Sequence, residues 1–291
     1  VTNAPWHIDP LDPRAPSAEV WESLSPSERR KVLAALPSDV PLTSPPEGDP
    51  HRIPKVRAFE ALEEHFRRIG RGVYLGSELP VYYPSERMFA PDIIAVLDVD
   101  PHERERWAVS HERRGLDFAL EVTYSGDKKK DLELNVAWFA RLGIPEYFVL
   151  DVRAARLHGY RLEPGESAYR PVLPQGGRWA SRVLGLALAL EGRRLRFYSG
   201  AAPLPESAEL VRSLEQMMDD ITQRKEDAER AREESDHARE QSERAREESD
   251  RAREESDRAR EESDRAREEA ERTRDKLAAK LRELGIDPDK L

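Results

Sequence analysis

Hydrophobic positions follow three rhythms along this chain. Residues 1–50 sustain none of them. Proline and acid are scattered through an arm in which one short helix is expected. Ser25 is placed to cap it, Pro26 sits at its first position, and it should run to about Leu36, before Pro37. Leu42–Pro50 reads as linker. A 3.6-residue rhythm then sets in from about Pro54 to Ile69, with Phe59, Leu62, Phe66 and Ile69 on one face, Glu63 at its edge and Gly70 as the stop.

Shorter, strand-like runs follow. Gly72–Leu75 and Leu79–Tyr83 flank a Gly-Ser-Glu turn, and Ile93–Val99 opens at Pro91-Asp92. Residues 100–115 form a charged connection. In Phe118–Val122 the period is two: Phe118, Leu120 and Val122 share one face, and Asp117, Ala119 and Glu121 the other. A polar turn at 125–130 leads to a helix over Asp131–Leu142, with Leu134, Trp138 and Phe139 among its apolar positions and Gly143 as its stop. Tyr147–Val152 and Leu157–Leu162 suggest a hairpin, and Ala187–Leu190 and Leu195–Tyr198 another around Glu191-Gly192. Strands with intervening helices predict an α/β (α+β) domain, a mixed sheet flanked by helices, of about 150 residues.

The third rhythm is a heptad. From Ala231 to Ala266 an alanine recurs every seven residues, and serines stand at 235, 242, 249, 256 and 263. With Ser at a and Ala at d, the register continues back through Ile221, Met217 and Leu214 and forward to Leu277 and Leu284. Glu precedes Arg by four residues in pairs such as Glu247 and Arg251, the favourable order on a helix. A helix over 206–284 would be ~120 Å long. Its seam predicts a homodimer through the C-terminal helix, held mainly by the Leu-bearing ends because Ser and Ala bury little area; a solitary, stiff helix is the alternative.

Charge sharpens this division. From Pro205 onward there are 20 Lys and Arg against 29 Asp and Glu, whereas the rest of the chain has 28 against 29. The acidity belongs to the tail, and the nearly neutral body does not by itself advertise nucleic-acid binding. The absence of cysteine excludes disulfides, thiolate metal sites and cysteine nucleophiles. The amino-terminal residues do not read as a signal peptide, and no apolar run approaches the roughly 20 residues that span a bilayer, so a soluble, cytoplasmic protein is expected. The histidines lack metal-ligand spacing such as H-E-x-x-H.

Two acids stand beside runs that otherwise belong in buried strands, Asp92 and Glu121. If they converge at a sheet edge, their hard oxygens suit Mg²⁺, which takes one or two protein carboxylates and keeps several waters. Such an ion orients water and neutralises a scissile phosphate, and a nearby lysine would stabilise the transition state.

The order of these features resembles the restriction-endonuclease family expanded in cyanobacteria, within the PD-(D/E)XK nuclease superfamily. The resemblance rests on Pro91-Asp92 before an apolar strand, Glu121-Val122 at the end of another, Asp131 opening a helix, and Ala140-Arg141-Leu142-Gly143-Ile144-Pro145-Glu146-Tyr147-Phe148-Val149-Leu150-Asp151. Ser181–Leu186 and Leu195–Phe197 are similar to the closing strands, and Leu277–Pro288 to tails on some members. The resemblance implies a restriction-endonuclease-like domain over 51–201, after the arm of 1–50 and before the charged helix of 202–286 and a tail of 287–291. It implies a Mg²⁺ (or Mn²⁺) site at Asp92 and Glu121, with the Val122 carbonyl as a third ligand and Glu63 completing it, and DNA as the partner. The pattern's lysine would fall at Thr123, or at Asn135 on the helix, and its serine at Tyr124. Neither position keeps a lysine, which leaves Lys128, Lys129 or Lys130 in the preceding turn as candidate catalytic cations. Two functions follow as expectations: a metal-dependent DNA endonuclease, or a nuclease-like fold without chemistry that binds DNA or protein.

Overall fold

The computed structural model describes residues 6–39, 48–124 and 129–283. Residues 42–47 of the expected linker, the first part of the polar turn (125–128), Leu284 of the heptad and the tail at 287–291 lie outside them, and Asp49 and Pro50, the end of that expected linker, stand in a helix. The chain divides into two compact units, Val1–Arg212 and Ser213–Leu291.

The amino-terminal arm holds two short helices rather than one, α1 (Ala18–Ser23) and α2 (Pro26–Ala35). Ser25 caps α2 in a reciprocal capping box with Glu28. Trp21, Leu24 and Val32 cluster between the two helices, and the Tyr82 hydroxyl donates to the Pro37 carbonyl at 2.8 Å, tying the arm to the body.

Helix α3 (Asp49–Ile69) starts earlier than its apolar rhythm suggests, with Pro54 inside it. Pro50 occupies the first turn, where a missing N–H costs nothing, and Gly48 accepts from His51 and Arg52. Gly70, at φ 66°, ends the helix in a left-handed turn that a side chain would disfavour. The buried face is Ala58, Ala61, Leu62 and Phe66, and it continues back to Lys55; Ile69 is exposed.

The strands follow as β1 (Val73–Gly76), β2 (Val81–Tyr82), β3 (Ile93–Leu97) and β4 (Trp107–Ala108). After α4 (Val109–Glu112) comes β5 (Phe118–Thr123). A π-helical turn (Lys130–Leu134) leads into α5 (Asn135–Arg141), and β6 (Glu146–Asp151) and β7 (Arg156–Arg161) form a hairpin. The unit finishes with β8 (Arg170–Pro171), β9 (Arg178–Ser181), β10 (Leu186–Glu191), β11 (Arg194–Ser199) and β12 (Ala202–Pro203).

The central mixed sheet has the order β1-β3-β5-β6-β7-β8, with only β5 and β6 parallel. The period of two in β5 is realised as read. Phe118, Leu120 and Val122 join Ile93, Ala95, Phe148 and Leu150 on the face packed by α3 and by the second sheet, β12-β11-β10-β9. Ala119, with Ile94, Tyr147 and Val149, packs on the other face against Trp138 and Phe139 of α5. Leu134, expected among the apolar positions, is exposed: the π turn holds an extra residue per turn and rotates Leu134 off the face that Trp138 keeps.

Helix α6 (Ser207–Glu283) begins under two arginines of β11. Arg196 Nη1 donates to Glu206 and Glu209, both at 3.0 Å, and Arg194 Nε donates to Glu206 at 2.6 Å. At Glu206 burial opposes ionisation, but hydrogen bonds from Arg194 and Arg196 outweigh it. At Glu209 burial is outweighed by the Glu206 amide and Arg196, so both carboxyls titrate below their ordinary 4.5. A depressed carboxyl stabilises the fold above its ordinary value, and that contribution disappears as pH falls through the lowered one. Glu206→Gln is therefore expected to lower the melting temperature at neutral pH and to flatten its decline below pH 4.5. Parallel melting curves of variant and wild type across that range would refute a role for the cluster.

Among the described residues, no helix is long and apolar enough to cross a membrane.

Candidate active site

Asp92 stands just before β3, at 6% exposure. Its position follows from where the ladder stops. β3 pairs with β5 only as far as Ile93 opposite Leu120, so the amide of Val122 has no strand partner on that side. The Asp92 carboxylate takes its place, accepting from Val122 N–H at 2.7 Å. In an extended strand one residue's N–H and C=O point the same way, so the Val122 carbonyl faces the same edge. Ser77 and Glu78 clamp the approach. The Ser77 hydroxyl donates to the Asp92 carbonyl at 3.0 Å, and the Glu78 amide donates to Pro91 at 3.1 Å. Glu78 adopts φ 52° to do so, a left-handed conformation costing about 1–2 kcal/mol for a residue with a side chain.

Glu121 lies on β5, on the face where Ala119 leaves room, and its Oε2 accepts from the Asp92 amide at 3.3 Å. The two acids separated by 29 positions in sequence thus meet at one end of the sheet. Glu121 keeps some surface in reach of solvent although protein surrounds its carboxyl. Burial, then the negative charges of Asp92 and Asp131, push that carboxyl well above the ordinary range, while Lys130 acts in the opposite sense. Burial opposes ionisation of Asp92 as well, but His51, the Val122 amide and Lys55 hold it below its ordinary value. The pair therefore divides its charge unequally, with the anion favoured at Asp92 and disfavoured at Glu121.

The layers on either side of the sheet supply the surroundings. From α3 come Lys55 and His51. Lys55 Nζ, on a side chain nearly out of reach of solvent, is 2.7 Å from Glu78 Oε1 and 3.8 Å from Asp92 Oδ1. His51 Nε2 is 3.4 Å from Asp92 Oδ2. From the π turn and α5 come Lys130, Asp131 and Asn135. Asn135 is buried, and its Nδ2 donates to Asp131 Oδ1 at 3.3 Å. The Tyr147 hydroxyl donates to the Asp131 carbonyl at 3.0 Å, and burial with the charges of Glu121 and Asp131 raises its pKa strongly. A π turn at the edge of a pocket of acids is a common companion of functional sites.

Of the candidates read from sequence, Asp92, Glu121, Val122, Lys130 and Asn135 gather at this edge. Lys129 is exposed, one residue before the π turn, and Lys128 lies outside the described residues. Glu63 is exposed on α3, eight residues or ~12 Å along the axis beyond Lys55, and does not join the acids. Its apolar-edge position put it near the core, but the end of α3 that meets the site is the amino-terminal one. Lys55, His51 and Glu78 were not singled out. The available signal was Lys55 itself, a lysine in the stripe that continues as Ala58, Leu62 and Phe66. A charged residue at such a position needs a partner, and buried Asp92 and the more exposed Glu78 supply it.

The donor set fits a hard divalent ion. Among the described residues no group of three or more His, Cys, Asp or Glu is arranged to hold a metal; the oxygens gathered at this edge are those of Asp92 and Glu121, with the Val122 carbonyl beside them. That is the sparse oxygen set on which Mg²⁺ is usually held, the rest of its shell being water or phosphate.

Comparison with known proteins gives three findings. Residues 21–191 match the model of the Uma2 family, described as "Putative restriction endonuclease". No curated protein matches the chain. Among solved structures, the chain is similar to a "putative nuclease belonging to DUF820" from Anabaena variabilis ATCC 29413, at 12% identity and a TM-score of 0.38, over 48% of this chain and 76% of that one. Because the family match covers more than half of its length and takes in both Asp92 and Glu121, this chain belongs to the Uma2 family.

Proposed function

We infer that the chain is a divalent-metal-dependent DNA endonuclease, hydrolysing phosphodiester bonds with Mg²⁺ (or Mn²⁺) held by Asp92, Glu121 and the Val122 carbonyl. The observation that carries this reading is the meeting of the two carboxyls at one sheet edge, where negative charge is favoured on Asp92 and disfavoured on Glu121. A divalent ion bound there supplies Lewis acidity towards a phosphate oxygen and a more acidic bound water. Val122 and the Ser77–Glu78 clamp fix Asp92, so its carboxylate does not have to reorganise on binding. Lys55 brings the positive charge that Asn135 lacks, from a helix on the opposite side of the sheet from α5.

The test is conversion of supercoiled plasmid to open circle by purified protein. Nicking is expected with Mg²⁺ or Mn²⁺ and not with EDTA. Lys55→Met should slow it about 100-fold with the far-ultraviolet spectrum unchanged. A wild-type protein inert with both metals would overturn the assignment.

One observation favours a second reading, an inactive fold that binds DNA or protein. Asn135 stands where the family pattern places a helix lysine, and it is buried against Asp131. Asn135→Lys separates the two. Metal-dependent cleavage created by that change, and absent from the wild type, would mark the natural chain as a binding module.

A further inference from the structure

We propose that α6 is one strand of a parallel, in-register, two-stranded coiled coil formed with a second copy of this chain. The evidence is how its charges are spent. With Ser235 at a and Ala238 at d, the ion pairs that recur every seven residues join f to c: Glu240 to Arg244, Glu247 to Arg251, Glu254 to Arg258, Glu261 to Arg265 and Glu268 to Arg272. These lie on the side of the helix away from the seam. The residues that flank the seam are largely a separate set, although Lys225, Asp227, Arg239 and Arg274 also pair along their own helix. Position g reads Asp220, Asp227, Glu234, Gln241, Glu248, Glu255, Glu262, Glu269, and position e reads Lys225, Arg232, Arg239, Arg246, Arg253, Arg260, Arg267, Arg274. Among the described residues, Glu248, Glu255, Glu262 and Glu269 form no ion pair along their own helix, nor do Arg246, Arg253, Arg260 and Arg267.

In a parallel pair, g of one helix meets e of the next heptad on the other. Every such pairing here, from Asp220 with Lys225 to Glu269 with Arg274, is of opposite charge, except the neutral Gln241 with Arg246. In an antiparallel pair g meets g and e meets e, which would line up acid against acid and arginine against arginine. Charge thus selects the second copy, its direction and its register together.

The Ala and Ser seam contributes little attraction, because those side chains bury little area. Attraction comes from where the seam gains bulk. Leu214, Met217 and Ile221 stand at a and d with Met218 beside them, all 58–66% exposed, and Leu277 stands at the far end at 58%. Such residues in successive turns of one helix face are out of place on a helix that stays alone.

Sedimentation equilibrium of the full chain at roughly tens of micromolar should give twice the chain mass. The chain has no cysteine, so single thiols report the alignment. Ser235→Cys and Ser263→Cys should each form a disulfide with its own copy under mild oxidation, because both stand at a in a parallel, in-register pair. An antiparallel pair can align at most one of them with itself. Reversing Glu248, Glu255, Glu262 and Glu269 to Arg should raise the dimer dissociation constant about 100-fold. Helicity should persist, since the f-to-c pairs remain. Mixing this variant with one in which Arg253, Arg260, Arg267 and Arg274 are each reversed to Glu should restore association as a heterodimer. A monomeric wild type, self-crosslinking at only one of the two positions, or a charge-reversed variant that dimerises as tightly as wild type would each overturn the proposal.

Discussion

Asp92→Asn is expected to reduce metal-dependent nicking about 1000-fold or more while leaving the protein folded. The substitution removes a charge but keeps an acceptor. Asparagine Oδ1 can still take the Val122 amide, which Asp92 accepts at 2.7 Å, so the edge of the sheet stays closed. Lys55 keeps Glu78 as a partner at 2.7 Å. What disappears is the carboxyl of the pair on which the surroundings favour the negative charge, and with it the affinity for a divalent ion. Asp92→Ala should behave differently. It strands the Val122 amide and leaves Lys55 facing a void, at about 1–3 kcal/mol for the unsatisfied donor alone. Calorimetric titration with Mn²⁺ separates the two: wild type binds, and both variants fail, but only the alanine variant also melts early. Asp92→Asn that nicks as fast as wild type would remove Asp92 from the chemistry.

The second large effect concerns stability, and it falls on Glu146. This residue is buried at 1% exposure and accepts from Arg161 Nε at 2.8 Å, Arg182 N at 2.9 Å, Val183 N at 3.4 Å and the Ser181 hydroxyl. Those donors belong to β7, to the end of β9 and to the turn into β10, so one carboxylate fastens the second sheet to the first. Removing one partner of a buried pair leaves the other charged and unpaired, at about 3–5 kcal/mol. Glu146→Ala should lose about that much in urea unfolding, with two amides stranded besides. Glu146→Leu combined with Arg161→Leu should recover part of the loss, because the desolvated charge is then gone. A Glu146→Ala change under 1 kcal/mol would show that water replaces the carboxylate.

Much of the body was legible because strands and helices advertise themselves locally. The alternation in β5 already placed Phe118 on one face and Glu121 on the other, and Ser25 before Pro26 already marked the start of α2. Asp92 and Glu121 were legible as candidates because each interrupts an apolar run. The motif around Glu146 was legible as a pattern without its purpose, since sequence alone does not show that Glu146 is structural while Glu121 sits among acids. Lys55 was missed because its partner lies 37 positions away, across a fold not yet formed. The rotation at Leu134 was missed because a π turn leaves no mark in a 3.6-residue rhythm. The edge strands β8 and β12, two residues each, are too short to carry a period at all.

The f-to-c pairing of α6 has a consequence for how such a chain can vary. Ala245–Arg251, Ala252–Arg258 and Ala259–Arg265 are one heptapeptide written three times over. Gaining or losing a whole copy changes the helix by ~10.5 Å and returns every side chain to its former angular place. An insertion of one or two residues instead rotates all that follows by about 100° or 200°. The helix is thus a ruler graduated in heptads, on which reach can change by whole copies while the pattern of charge is kept.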